Sequence, residues 1–330
     1  MGFPRWIDGR KLVTSARDSS RAVSSSFMPI APRITGTFLD EITHDIPSQN
    51  WGEAEWRREF AHYQANGIDT VVIIRAGYRN RCIFAAQSIP NLLPVYDDLG
   101  ELFFSLAAEY GLKVFFGTYD SGFHWMRGAW WNEVDINRKF IDEAYARYGH
   151  HASFAGWYLC HETSRNSANI IDLFREIGGH CKQTAGLPVL ISPFPQGAKQ
   201  FSGGDVMSLD ESFEHWGRIF AESSQGFDIC AFQDGQIHYQ ELPRFHEGIT
   251  ELGRKHGIQI WSNVETFDRD MPIKFPPADW RNLRFKIEAA AERVEKIISF
   301  ELPHFMSPHS SWDSARHLWN RYAEYAISQH

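Results

Sequence analysis

The chain has 330 residues, 43% of them hydrophobic and 15% aromatic, with 12 Trp, 25 Phe, a net charge of −8 and a pI near 6.0. The acidic balance, with no basic run to offset it, argues against nucleic acid as the main partner, because phosphate binding needs a basic face. No run approaches the roughly 18 apolar residues of a transmembrane helix, and the aromatic surplus favours a protein that stacks flat ligands such as sugar rings.

The chain opens on "MGFPRWIDGRKLVTSARDSSRAVSSS", which charges interrupt and which lacks the apolar stretch of a signal peptide. Residues 1–30 are expected to form an extension outside one catalytic domain, 31–330. A cytoplasmic setting is expected, with secretion left open should a leader have been removed. Cys82, Cys160, Cys181 and Cys230 show no CxxC spacing, and reduced thiols are expected.

Beyond Pro32 short β-rich runs alternate with amphipathic stretches. "RITGTFL" (33–39) is followed by "EAEWRREFAHYQANG" (53–67), and "DTVVIIRAG" (69–77) by "DDLGELFFSLAAEYG" (97–111). "KVFFGTY" (113–119) leads to the helical pattern 134–149, "FAGWYLC" (154–160) to 167–183, and "PVLISPF" (188–194) to 212–224. "FDICAFQ" (227–233) precedes 241–257, "IQIWSNV" (258–264) precedes 281–296, and "IISFEL" (297–302) precedes a last helix over 312–328. Gly67, Gly111, Gly226 and Gly257 stand where left-handed C-caps belong. Strands apolar on both faces, each followed by a helix, are parallel strands covered by helices. Eight such units predict an α/β fold of the closed (β/α)8 TIM-barrel type. A doubly wound sheet fits less well, since "TGTFLDE" after the first strand is no phosphate-binding glycine loop.

Barrel enzymes place their chemistry at the C-terminal ends of the strands. Those ends carry Asp40 and Glu41; Arg75, Tyr78 and Arg79; Tyr119 and Asp120; His161 and Glu162; Gln196; Gln233 and Asp234; Asn263 and Glu265; Glu301 and His304. Turns and caps ask for Gly, Ser, Asn or Asp. Glutamate suits neither, so Glu162 and Glu265 stand out. Alternation puts Gly156, Tyr158, Cys160 and Glu162 on the inner face, and likewise Gln259, Trp261, Asn263 and Glu265. The same count places Arg75 inward with Val71 and Ile73.

"GWYLCHE" and "IWSNVE", each ending a strand on glutamate, resemble the clan-A retaining (β/α)8 glycoside hydrolases. "ITGTFLDEITHD", with "WGEAEWRREFAHYQANGIDTVVI", resembles a little-characterised family of glycosidase-like barrels of unknown function. The resemblance implies that Glu162 is the acid/base and Glu265 the nucleophile, with no cofactor and an oligo- or polysaccharide substrate. His161 stands where the clan carries asparagine; an imidazole can make the same sugar contact. Asn263, Gln233, Asp234 and His238 are candidate substrate ligands, as are Tyr119 and Asp120, while Arg75 is expected either to keep Glu265 ionised or to bind a substrate hydroxyl or carboxylate. The loop "DSGFHWMRGAWWNE" (120–133) offers Trp125, Trp130 and Trp131 as sugar platforms, and Phe267 is a fourth. Glu301 is read as a third site carboxylate or as a tie to the N-terminal arm.

Two other classes stay open. His161, Glu162, Asp234, His238, Glu265 and Glu301 would suffice to hold a divalent metal, as in sugar isomerase or epimerase barrels, although no local ligand motif is present. The third is a barrel that binds carbohydrate without cleaving it. Assembly into a homo-oligomer is not decided by the sequence.

Overall fold

The computed structural model describes residues 31–43, 49–164, 169–199, 205–268 and 275–326. The expected N-terminal extension therefore lies outside the described residues. Eight parallel strands close into one barrel: β1 Gly36–Leu39, β2 Thr70–Ile73, β3 Lys113–Gly117, β4 Phe154–Leu159, β5 Val189–Ile191, β6 Ile229–Gln233, β7 Gln259–Glu265 and β8 Lys296–Phe300. Each pairs with its sequence neighbour, and β8 pairs with β1 to close the ring. The protein is a (β/α)8 barrel.

Helices follow the strands as expected: α1 Glu53–Ala65, α2 Leu99–Tyr110, α3 Trp130–Tyr148, α4 Ile170–Ala185, α5 Leu209–Ser223, α6 Leu242–His256 and α7 Trp280–Ala290. A short α8, Leu302–Phe305, and then α9, Asp313–Ala326, end the described chain. Their starts follow local chemistry. The Asp98 carboxylate accepts the Glu101 amide at 2.9 Å to cap α2, and Ser208 with Glu211 forms a reciprocal capping box on α5. Among the described residues no helix is long and apolar enough to cross a membrane.

Gly67, Gly111 and Gly257 have the expected positive φ, but Gly226 does not. It ends a 3-10 turn pressed on α4, where an added Cβ would lie 2.1 Å from the Phe174 carbonyl oxygen. Close approach, not left-handed backbone, is why glycine stands there.

All eight strands contribute to one buried cluster: Phe38, Val72, Phe115, Tyr158, Leu190, Ala231, Trp261 and Ile298 are among its members. Trp157 and Leu159 instead join the larger core between strands and helices. That outer layer absorbs much of the aromatic surplus; Trp56, Trp157, Trp216, Phe60, Phe103 and Phe104 are fully buried. Large rings fill the wide gap between barrel and helices, so their number is mostly a packing requirement. All four cysteines are buried and unpaired.

One inner-face expectation fails. Val72 and Ile74 point into the barrel, while Val71 and Ile73 face the helices. Arg75 therefore does not share the inner face by alternation; β2 ends at Ile73, and Arg75, two residues beyond, reaches Asp120 and Glu162 at the barrel mouth.

Candidate active site

At the C-terminal end of β4, Glu162 meets Arg75. The guanidinium Nη2 lies 3.6 Å from Glu162 Oε1, and its Nε lies 3.6 Å from Asp120 Oδ2. Burial opposes the charge on Arg75, but Glu162 foremost, with Asp120 and Asp40 adding, outweighs it and raises the Arg75 pKa. One cation thus serves two carboxylates at the barrel mouth. Beneath them Tyr158 is fully buried, and burial followed by the nearby Glu162 charge raises its hydroxyl well above the ordinary pKa.

The other glutamate, Glu265, ends β7, three strands round the eight-strand ring from β4. Its residue is 1% exposed, whereas the Glu162 side chain is 26% exposed. Both backbone polar atoms of Glu265 are held. Its N–H donates to Asp234 Oδ1 at 3.1 Å, and its carbonyl accepts from Lys286 Nζ at 2.9 Å. Lys286 also pairs with Asp234 Oδ1 at 2.7 Å. Burial raises the Asp234 pKa; Lys286 opposes the rise and Glu265 adds to it.

Gly235 completes the clamp, because a Cβ there would lie 1.7 Å from Glu265 Oε2. Two residues back on β7, Asn263 donates from Nδ2 to Ser192 Oγ at 3.0 Å, and its Oδ1 has no hydrogen-bond partner among the described residues. Gln233 Nε2 donates to the Ser192 carbonyl at 2.9 Å. Ser192, Asn263 and Gln233 therefore form a polar layer across β5, β6 and β7.

Several candidates have other places. The Tyr119 ring packs against Phe140 in the outer core and its hydroxyl donates to the Arg79 carbonyl at 2.8 Å, so it is not presented to a ligand. Trp125 is buried; its Nε1 donates to Asp120 Oδ1 at 3.1 Å, fixing that carboxylate rather than offering a platform. Trp130 and Trp131 do not sit in a loop but open α3, four residues before the helix was expected. Trp130 is half-buried, and Trp131, 54% exposed, meets its ring edge-on. Phe267 is buried against Phe275, Phe300 and Phe305. His238 is exposed in the loop after β6.

His161 turns into the α3 wall, where Nε2 lies 3.1 Å from Glu133 Oε1 and the ring meets Trp125 edge-on. It does not stand in for a sugar-binding asparagine. Glu301 is fully buried, pairs with His304 and accepts the Asp40 amide at 3.2 Å. It closes the seam between β8 and β1.

The metal reading loses its ligand set. Among the described residues, Asp120, Glu133 and His161 form one group close enough to share an ion, and Glu101, His150 and His151 form another; the six residues considered from sequence are not brought together as such a group. The first group is already engaged with protein donors. Asp120 takes Trp125 and the Gly122 amide, and Glu133 takes the amide and hydroxyl of Ser121.

Sequence reasoning missed Lys286, Glu133 and Gly235. Lys286 sits with Leu283, Ile287 and Ala290 on the buried stripe of α7, and Glu133 shares a stripe with Asn137 and Phe140 on α3. A charge on an apolar stripe was the available signal. Lys286→Met leaves Asp234 buried without its cation, so unfolding by denaturant should show a loss of about 3–5 kcal/mol.

The architecture is that of a (β/α)8 barrel that carries Glu162 beyond the end of β4 and Glu265 at the end of β7. Within that class, residues 34–312 match the family described as a domain of unknown function, DUF4434, and the chain belongs to it. A protein of Bacteroides thetaiotaomicron, described as a "putative alpha-L-fucosidase", is 43% identical with a TM-score of 0.86, over 90% of this chain and 96% of that one. An endo-1,4-beta-D-mannanase of Thermotoga petrophila superposes at a TM-score of 0.56 with 9% identity, over 88% of this chain and 99% of its own. A GH2 beta-galacturonidase of Eisenbergiella tayi gives 0.55 with 10% identity, over 89% of this chain and 51% of its own. The last two likenesses concern the fold alone. No curated protein matches the chain.

Proposed function

We propose that the protein is a glycoside hydrolase, with Glu162 as acid/base and Glu265 as nucleophile. The observation that carries this reading is the unequal pair of glutamates at one barrel mouth. The acid/base must exchange protons with a leaving group and then with water, which suits the more exposed Glu162. A nucleophile must be held in line with the anomeric carbon, which suits Glu265, its backbone pinned at both polar atoms.

In the first step Glu162 protonates the glycosidic oxygen as a Glu265 carboxylate oxygen bonds to the anomeric carbon. The aglycone then departs with the proton. In the second step Glu162 removes a proton from water, whose oxygen takes the anomeric carbon and releases Glu265. Asn263, with an unused buried oxygen, is the hydroxyl ligand best supported within the site. Gln233, Asp234, His238 and Trp131 remain secondary proposals for binding.

The description of the 43% identical neighbour makes an aryl α-L-fucoside the first substrate to try, beside a panel of xylo-, manno- and galacto-oligosaccharides. Hydrolysis with products identified by mass spectrometry, and first-formed anomer by NMR, tests the reading. Turnover of none of these by the pure protein, with sugar binding intact, would favour a binding barrel.

The shared cation gives a pH test. Arg75 favours the ionised form of Glu162, so it draws the alkaline limb of the kcat/KM–pH profile toward lower pH. Arg75→Met should move that limb up, and Asp120→Asn, which removes one of the carboxylates that share Arg75, should move it down. An alkaline limb that neither substitution moves would separate Glu162 from the acid role.

A further inference from the structure

Outside the paired glutamates, the ends of β1 and β2 enclose a cavity of about 210 Å³ between Glu41 and the loop leading to α2. Its floor is apolar, with Ile42 and Cys82 buried. At its rim stand Tyr96, 76% exposed, and Leu93, 46% exposed. Arg81 and Asp97, of opposite charge, also line it.

We infer that this cavity is a second carbohydrate subsite, in which one neutral sugar ring stacks on Tyr96 while Glu41 and Arg81 bind its hydroxyls. The inference rests on the glycosidase reading and extends it to substrates longer than one sugar unit.

The lining matches the chemistry of a sugar, which offers an apolar C–H face and a rim of hydroxyls that both donate and accept. Tyr96 supplies an uncovered ring for the first. Arg81 supplies donors and Asp97 acceptors for the second, and their charges balance, which disfavours an ionic ligand. Glu41 can do both. Burial foremost, with Glu301 and Asp40 adding and His304 opposing, raises its pKa to about 8, so the carboxyl keeps its proton at neutral pH. The volume lies below the roughly 300 Å³ at which pockets for larger ligands begin, in keeping with a single ring.

The cavity and the paired glutamates share one end of the barrel: Glu41 follows β1, Arg75 follows the neighbouring β2, and Arg75 pairs with Glu162.

The experiment is calorimetric titration at pH 7 of the full chain with xylo-, manno- and galacto-oligosaccharides from disaccharide to hexasaccharide, and with the matching methyl monosaccharides. Affinity should rise with chain length in the wild type. Tyr96→Ala should lose about tenfold on the longer ligands. Glu41→Ala should weaken the longer ligands likewise, and Glu41→Gln, which keeps a donor, should not. Circular dichroism establishes that each variant folds.

Parallel titration of Glu265→Ala, and activity assays of the wild type, keep the two ideas apart. Length-dependent binding that Tyr96→Ala removes, in a protein that hydrolyses nothing, would leave the subsite standing and defeat the glycosidase reading. Hydrolysis with a length dependence that Tyr96→Ala does not change, or no gain in affinity with length for any series, overturns the subsite.

Discussion

Glu265→Ala is expected to cut turnover by roughly 10⁴–10⁶-fold, the range seen when a nucleophile is removed, while circular dichroism and the thermal transition stay close to wild type. The fold should survive because the strand's structural bonds use backbone atoms. The Asp234 and Lys286 contacts reach the N–H and carbonyl of residue 265, which alanine retains. Truncation also leaves space on one side of the anomeric carbon. Azide can enter there and, with Glu162 still protonating the leaving group, form a glycosyl azide of inverted configuration if the wild type retains. Near-normal rates on the true substrate in the variant would remove Glu265 from the chemistry. The product anomer separates retention from inversion, which correspond to carboxyl separations of roughly 5–5.5 Å and 6.5–9.5 Å.

Gly235→Ala should reduce kcat by about a hundredfold or more with little change in the overall fold. A methyl group at this position would stand 1.7 Å from Glu265 Oε2 and 2.4 Å from Cδ, so the carboxylate must move by an ångström or more. Displacement of a reacting group by about 1 Å can cost 10²-fold. Gly235 is buried and its neighbour Asp234 already fixes the Glu265 amide, which leaves the side chain as the part that yields. The check is a split between parameters. A positioning effect lowers kcat with KM near wild type, whereas general loosening of the mouth would raise KM and lower the melting temperature together.

Both predictions concern a glutamate that local sequence already marked. Glu162 and Glu265 were legible because a carboxylate closing an apolar strand has no turn-forming or core-packing reason to be there. Their surroundings were not. His161, adjacent to Glu162, was expected to meet substrate and instead binds Glu133 on α3, because a carboxylate 28 positions earlier reaches it only once α3 is packed against β4. The tryptophans of 120–133 show the same limit. Glycine and polar residues suggested a loop, yet α3 begins within it at Trp130, stabilised by burial of Glu133, Val134 and Asn137 against the barrel. Tertiary packing overrode a weak local preference.

The sequence by itself determined the repeating strand–helix order, the parallel closed barrel and the strand ends on which acidic groups stand. These follow from periodicities of two and about 3.6 residues, which are properties of neighbouring residues. Only the tertiary structure decided the partners of those groups: Arg75 shared between Glu162 and Asp120, Lys286 beneath Glu265, and Gly235 giving way to a carboxylate. Charge pairing and close approach depend on distances through space. A lysine 21 positions further along the chain meets Glu265 only because the barrel folds α7 back beside β7.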